Sequence, residues 1–283
     1  MKLFLNKFVF YILIVILYLF INLFINFNHE INPNLKSKNI IFIGDSHMRN
    51  CINPDSFYNS INCGLNADPL IGQKWKLSQI LKNNQIDTVV LSLGYHNFLD
   101  SMEIFFNSEG SKADENLFRY NLINGNELYK IKFNKKQYLI SLFRKMQKPI
   151  DLPYIGSFFS ENIKMHDSAK SAIYRRLVKD TLFKFNNVLV INEIRELCRK
   201  NGIKCFFIFT PTAKAYNSRI PTRLKKKVDN FINELKNRGE YIDINQNFND
   251  TLFYDGDHLN LNGSKIFTHL LKVKLYQKIE NQF

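Results

Sequence analysis

The sequence predicts an α/β domain, a doubly wound and mainly parallel sheet flanked by helices, preceded by one N-terminal transmembrane helix. Three observations carry this. Short apolar runs that end at glycine or Thr-Pro alternate with stretches of helical periodicity. A 20-residue uncharged apolar segment lies near the N-terminus. Polar motifs rich in Ser, His, Asp and Asn follow the apolar runs, where open α/β sheets place their sites.

Phe8 to Phe27 is interrupted only by Asn22 and Asn26 and is long enough to cross a hydrocarbon core of about 30 Å. Asn28 and His29 follow it, with neither small residues of a cleavage site nor a lipobox cysteine, so residues 1–28 read as an uncleaved signal anchor. Lys2 and Lys7 precede the segment, and His29 and Glu30 follow it. The positive-inside rule therefore predicts a cytoplasmic N-terminus and an extracytoplasmic domain, periplasmic if the source has an outer membrane. Residues 29–38 are polar with one proline and read as a linker to a domain over 39–283.

Within that domain Asn39–Ile43, Asp87–Leu93 and Ile203–Phe209 are the strong strand signals, and Tyr58–Cys63 and Tyr241–Ile244 the weaker ones. Helical periodicity runs over Trp75–Asn83, Val188–Asn201, Thr222–Asn237 and Gly263–Gln277. Residues of about 100–185 break the rhythm and read as an insertion rich in Phe, Tyr, Lys and Asn. Within it Lys135–Lys148 has the pattern of a basic amphipathic helix, suited to packing on the sheet or to resting on membrane or substrate.

Of the 283 residues 45% are hydrophobic, enough for a substantial core, which excludes a largely disordered chain. The formal net charge of +14 comes from 39 Lys+Arg against 25 Asp+Glu spread along the chain. Without a zinc-finger, RRM or helix-turn-helix pattern, that charge does not indicate nucleic acid. Cys51, Cys63, Cys198 and Cys205 form no C-x-x-C and no Cys/His metal spacing. They are compatible with a Cys51–Cys63 pair or with four buried thiols.

Gly44-Asp45-Ser46-His47 follows the first strand and can present a serine hydroxyl at the sheet edge, its own N–H near a developing oxyanion. Gly94-Tyr95-His96-Asn97 follows the Thr88–Leu93 run, and the Asn97 amide can donate to the same oxyanion without titrating. Asp255-Gly256-Asp257-His258 precedes the last helix. His258 suits a general base, and Asp255, three residues earlier, can fix its tautomer. Asp257 is the competing orienter, although an adjacent residue usually points elsewhere.

Together, in this order and strand context, the three motifs resemble the SGNH (GDSL-like) hydrolase superfamily: G-D-S at Gly44–Ser46, G-x-x-N at Gly94–Asn97 and D-x-x-H at Asp255–His258. The resemblance covers about 39–100 and 186–275. It implies Ser46, Asp255 and His258 as a catalytic triad, and Ser46 and Asn97 as oxyanion donors, with no metal or organic cofactor. The superfamily's oxyanion glycine aligns on Ala67 when the Asn62–Asp68 segment is anchored at Asn62, and Gly64 is the other candidate. His96 is less usual in that block and reads as a loop or packing histidine, or as a substrate contact. With the membrane anchor, the implied function is an esterase or O-acyltransferase on acyl, and above all acetyl, esters of a cell-envelope polysaccharide. A lipid esterase or a non-catalytic envelope scaffold are the alternatives.

Overall fold

A computed structural model describes residues 2–31, 35, 37–99, 119–120, 135–147, 156–160, 185–244 and 247–281. The expected linker and insertion thus lie largely outside the described residues. The chain divides into two compact units, residues 1–33 with 103–154 and residues 34–102 with 155–283.

In the first unit, helix α1 (Lys2–Ile31) contains a stretch, Phe4–Asn28, long and apolar enough to cross a membrane. It extends past Phe27 into what the sequence reads as linker, because Asn28-His29-Glu30 contains neither glycine nor proline to stop it. The amphipathic helix α4 (Lys135–Gln147) lies in the same unit and packs against α1. The two asparagines of α1 serve this contact: Asn22 Nδ2 donates to Met146 O at 3.2 Å and Asn26 Nδ2 to Lys145 O at 2.7 Å. Those carbonyls belong to the last turn of α4, which has no intrahelical donor for them.

The second unit is a four-stranded parallel sheet in the order β2-β1-β3-β4, formed by β1 (Ile40–Ile43), β2 (Ser60–Asn62), β3 (Thr88–Leu93) and β4 (Lys204–Phe209). The strands read as continuous apolar runs because both faces are covered. Successive residues alternate between two clusters. On one face Ile41, Ile43, Val89, Leu91 and Phe207 meet α3 (Leu70–Asn83), α5 (Phe185–Lys200) and α6 (Thr222–Asn237) through Leu77, Ile80, Ile191, Ile194, Val228 and Phe231. On the other Ile40, Phe42, Val90, Phe206 and Ile208 meet α2 (Ser46–Cys51) and α7 (Leu261–Glu280) through Met48, Phe267, Leu271 and Leu275.

The segment Tyr241–Ile244 is not a full strand. It makes one parallel bridge, Tyr241 to Phe207, beside β4. Helix α3 begins at Leu70, five residues before the periodicity is legible, because Pro69 at its N-cap sets the entry and Gly72 and Gln73 interrupt the apolar pattern. All four cysteines are free thiols. Burial pushes Cys63 up to about 12 and Cys51 higher still, so neither is a thiolate near neutral pH.

Candidate active site

Every strand delivers a polar segment at its carboxyl end, and β1 and β3 flank the point where the strand order reverses. From β1 the chain passes through Gly44 into the first turn of α2. Asp45 is the N-cap, its carboxylate accepting His47 N–H at 2.9 Å, which leaves Ser46 as the first helical residue, partly exposed. Gly44 is required by space, since a Cβ there would overlap Ser92 Oγ on β3 and Met48 Cβ on α2.

His258 Nε2 lies 2.8 Å from Ser46 Oγ, and its Nδ1 faces Asp255 Oδ2 at 2.8 Å. The geometry is local in origin. Asp255 Oδ1 accepts the backbone N–H of Asp257 at 3.0 Å and of His258 at 2.7 Å, an Asx-type turn that folds the chain back on its own carboxylate. That turn also brings Asp257 inward instead of pointing it away: its Oδ1 is 3.3 Å from His258 Nδ1 and its Oδ2 3.7 Å from His47 Nε2. Tyr254 stacks on the His258 ring at 5.4 Å, its hydroxyl held by Asn50 Nδ2 at 2.9 Å.

A second carboxylate–imidazole pair sits on the opposite side of His47. Asp45 Oδ2 bonds His96 Nε2 at 2.5 Å and accepts Asn97 Nδ2 at 3.1 Å. The rings of His96, His47 and His258 form a row, with centroids 4.3 Å and 4.7 Å apart, and Thr210 at the end of β4 bonds His47 Nδ1 at 3.1 Å. His96 is therefore a partner of Asp45. Asn97 is buried, its Oδ1 accepting Gly94 N–H at 2.7 Å. Its nitrogen carries two protons, so the bond to Asp45 leaves one N–H.

The charges sort along this row. Burial alone would raise the Asp45 carboxyl, but the charge and hydrogen bond of His96, with His47, outweigh it and hold it well below the carboxylate range. Burial and the neighbouring His96 push His47 below its usual value. Burial would lower His258, yet the charge of Asp257 and the hydrogen bonds of Asp255 and Asp257 overcome it and push His258 up to about 10. Burial would likewise raise Asp257, but His258 and His47 hold it well below its usual value.

The loop after β2 is clamped separately. Asn62 Nδ2 donates to the carbonyls of Met48 at 2.9 Å and Ile52 at 2.7 Å, and Asn62 Oδ1 accepts Gly64 N–H at 2.8 Å. Ala67 has φ 53°, a left-handed conformation that costs an L-residue about 1 kcal/mol and that glycine adopts freely. The turn is held by a buried ion pair, Lys76 Nζ to Asp68 Oδ2 at 2.7 Å, and by Lys76 Nζ to Cys63 O at 2.7 Å. Gly64 packs its Cα against the Arg49 backbone.

Among the described residues, two sets could share a metal ion by proximity: Asp45, His47 and His96, and Asp255, Asp257 and His258. In each set the carboxylates and an imidazole already bond one another, and we assign neither to a metal. His47 and Thr210 escape sequence reasoning, and Asp257, read there as the competing orienter of His258, turns inward beside Asp255. The G-D-S-H and D-G-D-H strings contain two of these residues, but only the fold stacks His47 between two imidazoles.

Neither a family model nor a curated protein matches the chain. Among solved structures it is similar to a Bacteroides fragilis protein described as a "putative acylhydrolase", with 14% identity and a TM-score of 0.40 over 87% of this chain and 90% of that one. At that level nothing about activity transfers to this chain.

Proposed function

We propose that this chain is a membrane-anchored serine esterase or O-acyltransferase of the SGNH type. The observation that carries the reading is the continuous hydrogen-bonded line from Ser46 Oγ through His258 to Asp255. A serine hydroxyl is a weak nucleophile until a base is in contact with it. Here the base is in contact, and its far nitrogen is fixed by a carboxylate.

In the proposed reaction Ser46 Oγ bonds the ester carbonyl carbon while its proton passes to His258 Nε2. The carbonyl oxygen becomes an oxyanion held by the Ser46 N–H, the remaining Asn97 N–H and the N–H of Ala67. The carbon–oxygen bond to the leaving alcohol then breaks, and His258 returns the proton to that alcohol. Water, or a sugar hydroxyl, then gives its proton to His258 as its oxygen bonds the acyl carbon, the bond from that carbon to Ser46 Oγ breaks, and His258 returns the proton to Oγ. The left-handed turn at Ala67, a conformation that glycine adopts freely, supports its alignment with the superfamily's oxyanion glycine.

The substrate class follows from the anchor. A site tethered by α1 outside the membrane meets acylated envelope glycans, and acetyl esters of such a polysaccharide are the substrates we propose. The test treats the full chain in detergent with a fluorophosphonate probe, alongside Ser46→Ala and His258→Gln. Labelling of the wild type alone supports the reading, and a folded wild type that stays unlabelled defeats it. Transfer of acetyl from a model ester to added glycan, measured against hydrolysis, separates transferase from esterase.

A further inference from the structure

The unit formed by α1 and α4 has its polarity reversed. In a protein surrounded by water the buried stripe of an amphipathic helix is apolar. In α4 the two fully buried side chains are Ser141 (1% exposed) and Lys145 (0%), whereas Leu139 (65%) and Phe143 (55%) point outward. Helix α1 repeats the pattern: Asn22 (2%) and Asn26 (0%) are its buried residues, and Phe20, Ile21 and Phe24 are exposed. The polar groups meet inside. The asparagines close the C-terminal carbonyls of α4, and Lys145 Nζ sits 5.2 Å from the centre of the Phe27 ring.

An arrangement with hydrogen bonds inside and apolar side chains outside is the one lipid selects. Thirteen residues rise about 20 Å, too little to cross a bilayer, so α4 does not span. Its anchoring points give its depth. Asn26 and Asn22 lie two and six residues before Asn28, the end of the span, or roughly 3 and 9 Å along the helix. Helices that lie in the headgroup–acyl boundary sit about 5–10 Å deep. The formal charges of α4 are all cationic (Lys135, Lys136, Arg144 and Lys145), the sign that headgroup phosphates attract.

We infer that α4 is a membrane-interfacial helix that buries Leu139 and Phe143 among lipid acyl chains on the face of the bilayer where α1 ends. This rests on α1 being inserted and is independent of the Ser46 chemistry.

The experiment uses the full chain reconstituted in vesicles of phosphatidylcholine and phosphatidylglycerol, with Phe143→Trp and, as a second position on the same stripe, Leu139→Trp. The wild type, whose one tryptophan is the buried Trp75, supplies the baseline. The expected result is blue-shifted emission from both variants, quenched about twofold by lipids brominated near the headgroup end of the chain and less by deep bromines or aqueous acrylamide. Emission quenched by acrylamide and untouched by brominated lipid overturns the inference. A chain that does not float with the vesicles overturns it as well, by removing α1 from the bilayer, and that outcome is told apart by flotation alone.

Discussion

Ser46 Oγ and His258 Nε2 stand 2.8 Å apart across 212 residues of sequence, one on the first turn after β1 and the other just before the last helix. The imidazole in that contact is unusual in facing two carboxylates on its far side, Asp255 at 2.8 Å and Asp257 at 3.3 Å.

Those carboxylates favour the imidazolium and push His258 up to about 10 against the opposing effect of burial. Only the neutral ring can take the Ser46 proton. The rate of fluorophosphonate labelling is therefore expected to climb through the alkaline range with a midpoint well above the ordinary histidine value of about 6.5. Removing the Asp257 charge with Asp257→Asn moves the midpoint down. Asp255→Asn moves it down too and also lowers the plateau by about 10²–10⁴, because the tautomer is no longer fixed. Rates measured against pH for the three proteins decide this.

The same shift is linked to stability. A group whose folded pKa is raised binds its proton more tightly in the native state. It adds stability that is complete below the unfolded value near 6.5 and is lost as pH rises through about 10. The melting temperature should fall between pH 7 and pH 10 more steeply in the wild type than in His258→Gln, as calorimetry of the two proteins would register.

Asn97→Ala removes one proposed oxyanion donor together with the bonds to Asp45 and Gly94. Ester hydrolysis should drop about 10²–10³ in kcat. His96→Asn leaves Asn97 in place but takes away the ring that holds the Asp45 carboxyl low. Its loss of rate should be smaller, which comparison of the two kcat values reads directly.

Lys76→Met removes the ammonium 2.7 Å from the buried Asp68 carboxylate, and breaking a buried pair typically costs about 3–5 kcal/mol. The double variant with Asp68→Asn should recover part of that loss in urea denaturation. Activity recovers less than stability if the Ala67 turn depends on the clamp for its left-handed shape.

Much of the architecture is legible in the sequence because parallel strands covered on both faces leave a strong local mark. Asn39–Ile43, Asp87–Leu93 and Ile203–Phe209 lie within a residue of β1, β3 and β4. Helix α6 matches Thr222–Asn237 because its apolar positions keep an unbroken helical period. Tyr241–Ile244 has a strand's composition, but among the described residues it makes one bridge, to Phe207, a matter of tertiary position that composition does not carry. Of the proposed site residues, Ser46 and Asn97 stand in motifs that follow strands, and Asp255 and His258 in the motif before the last helix. The inward turn of Asp257 comes from a local Asx turn at Asp255, whereas the row His96–His47–His258 depends on the meeting of three segments distant in sequence and leaves no local trace.

Asn62 ties together the carbonyls of Met48 and Ile52, at the two ends of the second half of α2, and the amide of Gly64 in the loop after β2. A single buried amide therefore makes the short serine-bearing helix and the loop that leads to Ala67 one cooperative opening unit. In amide hydrogen exchange the protons of Ile52 and Gly64 should be released at a common rate, and the two segments should loosen and close as one body.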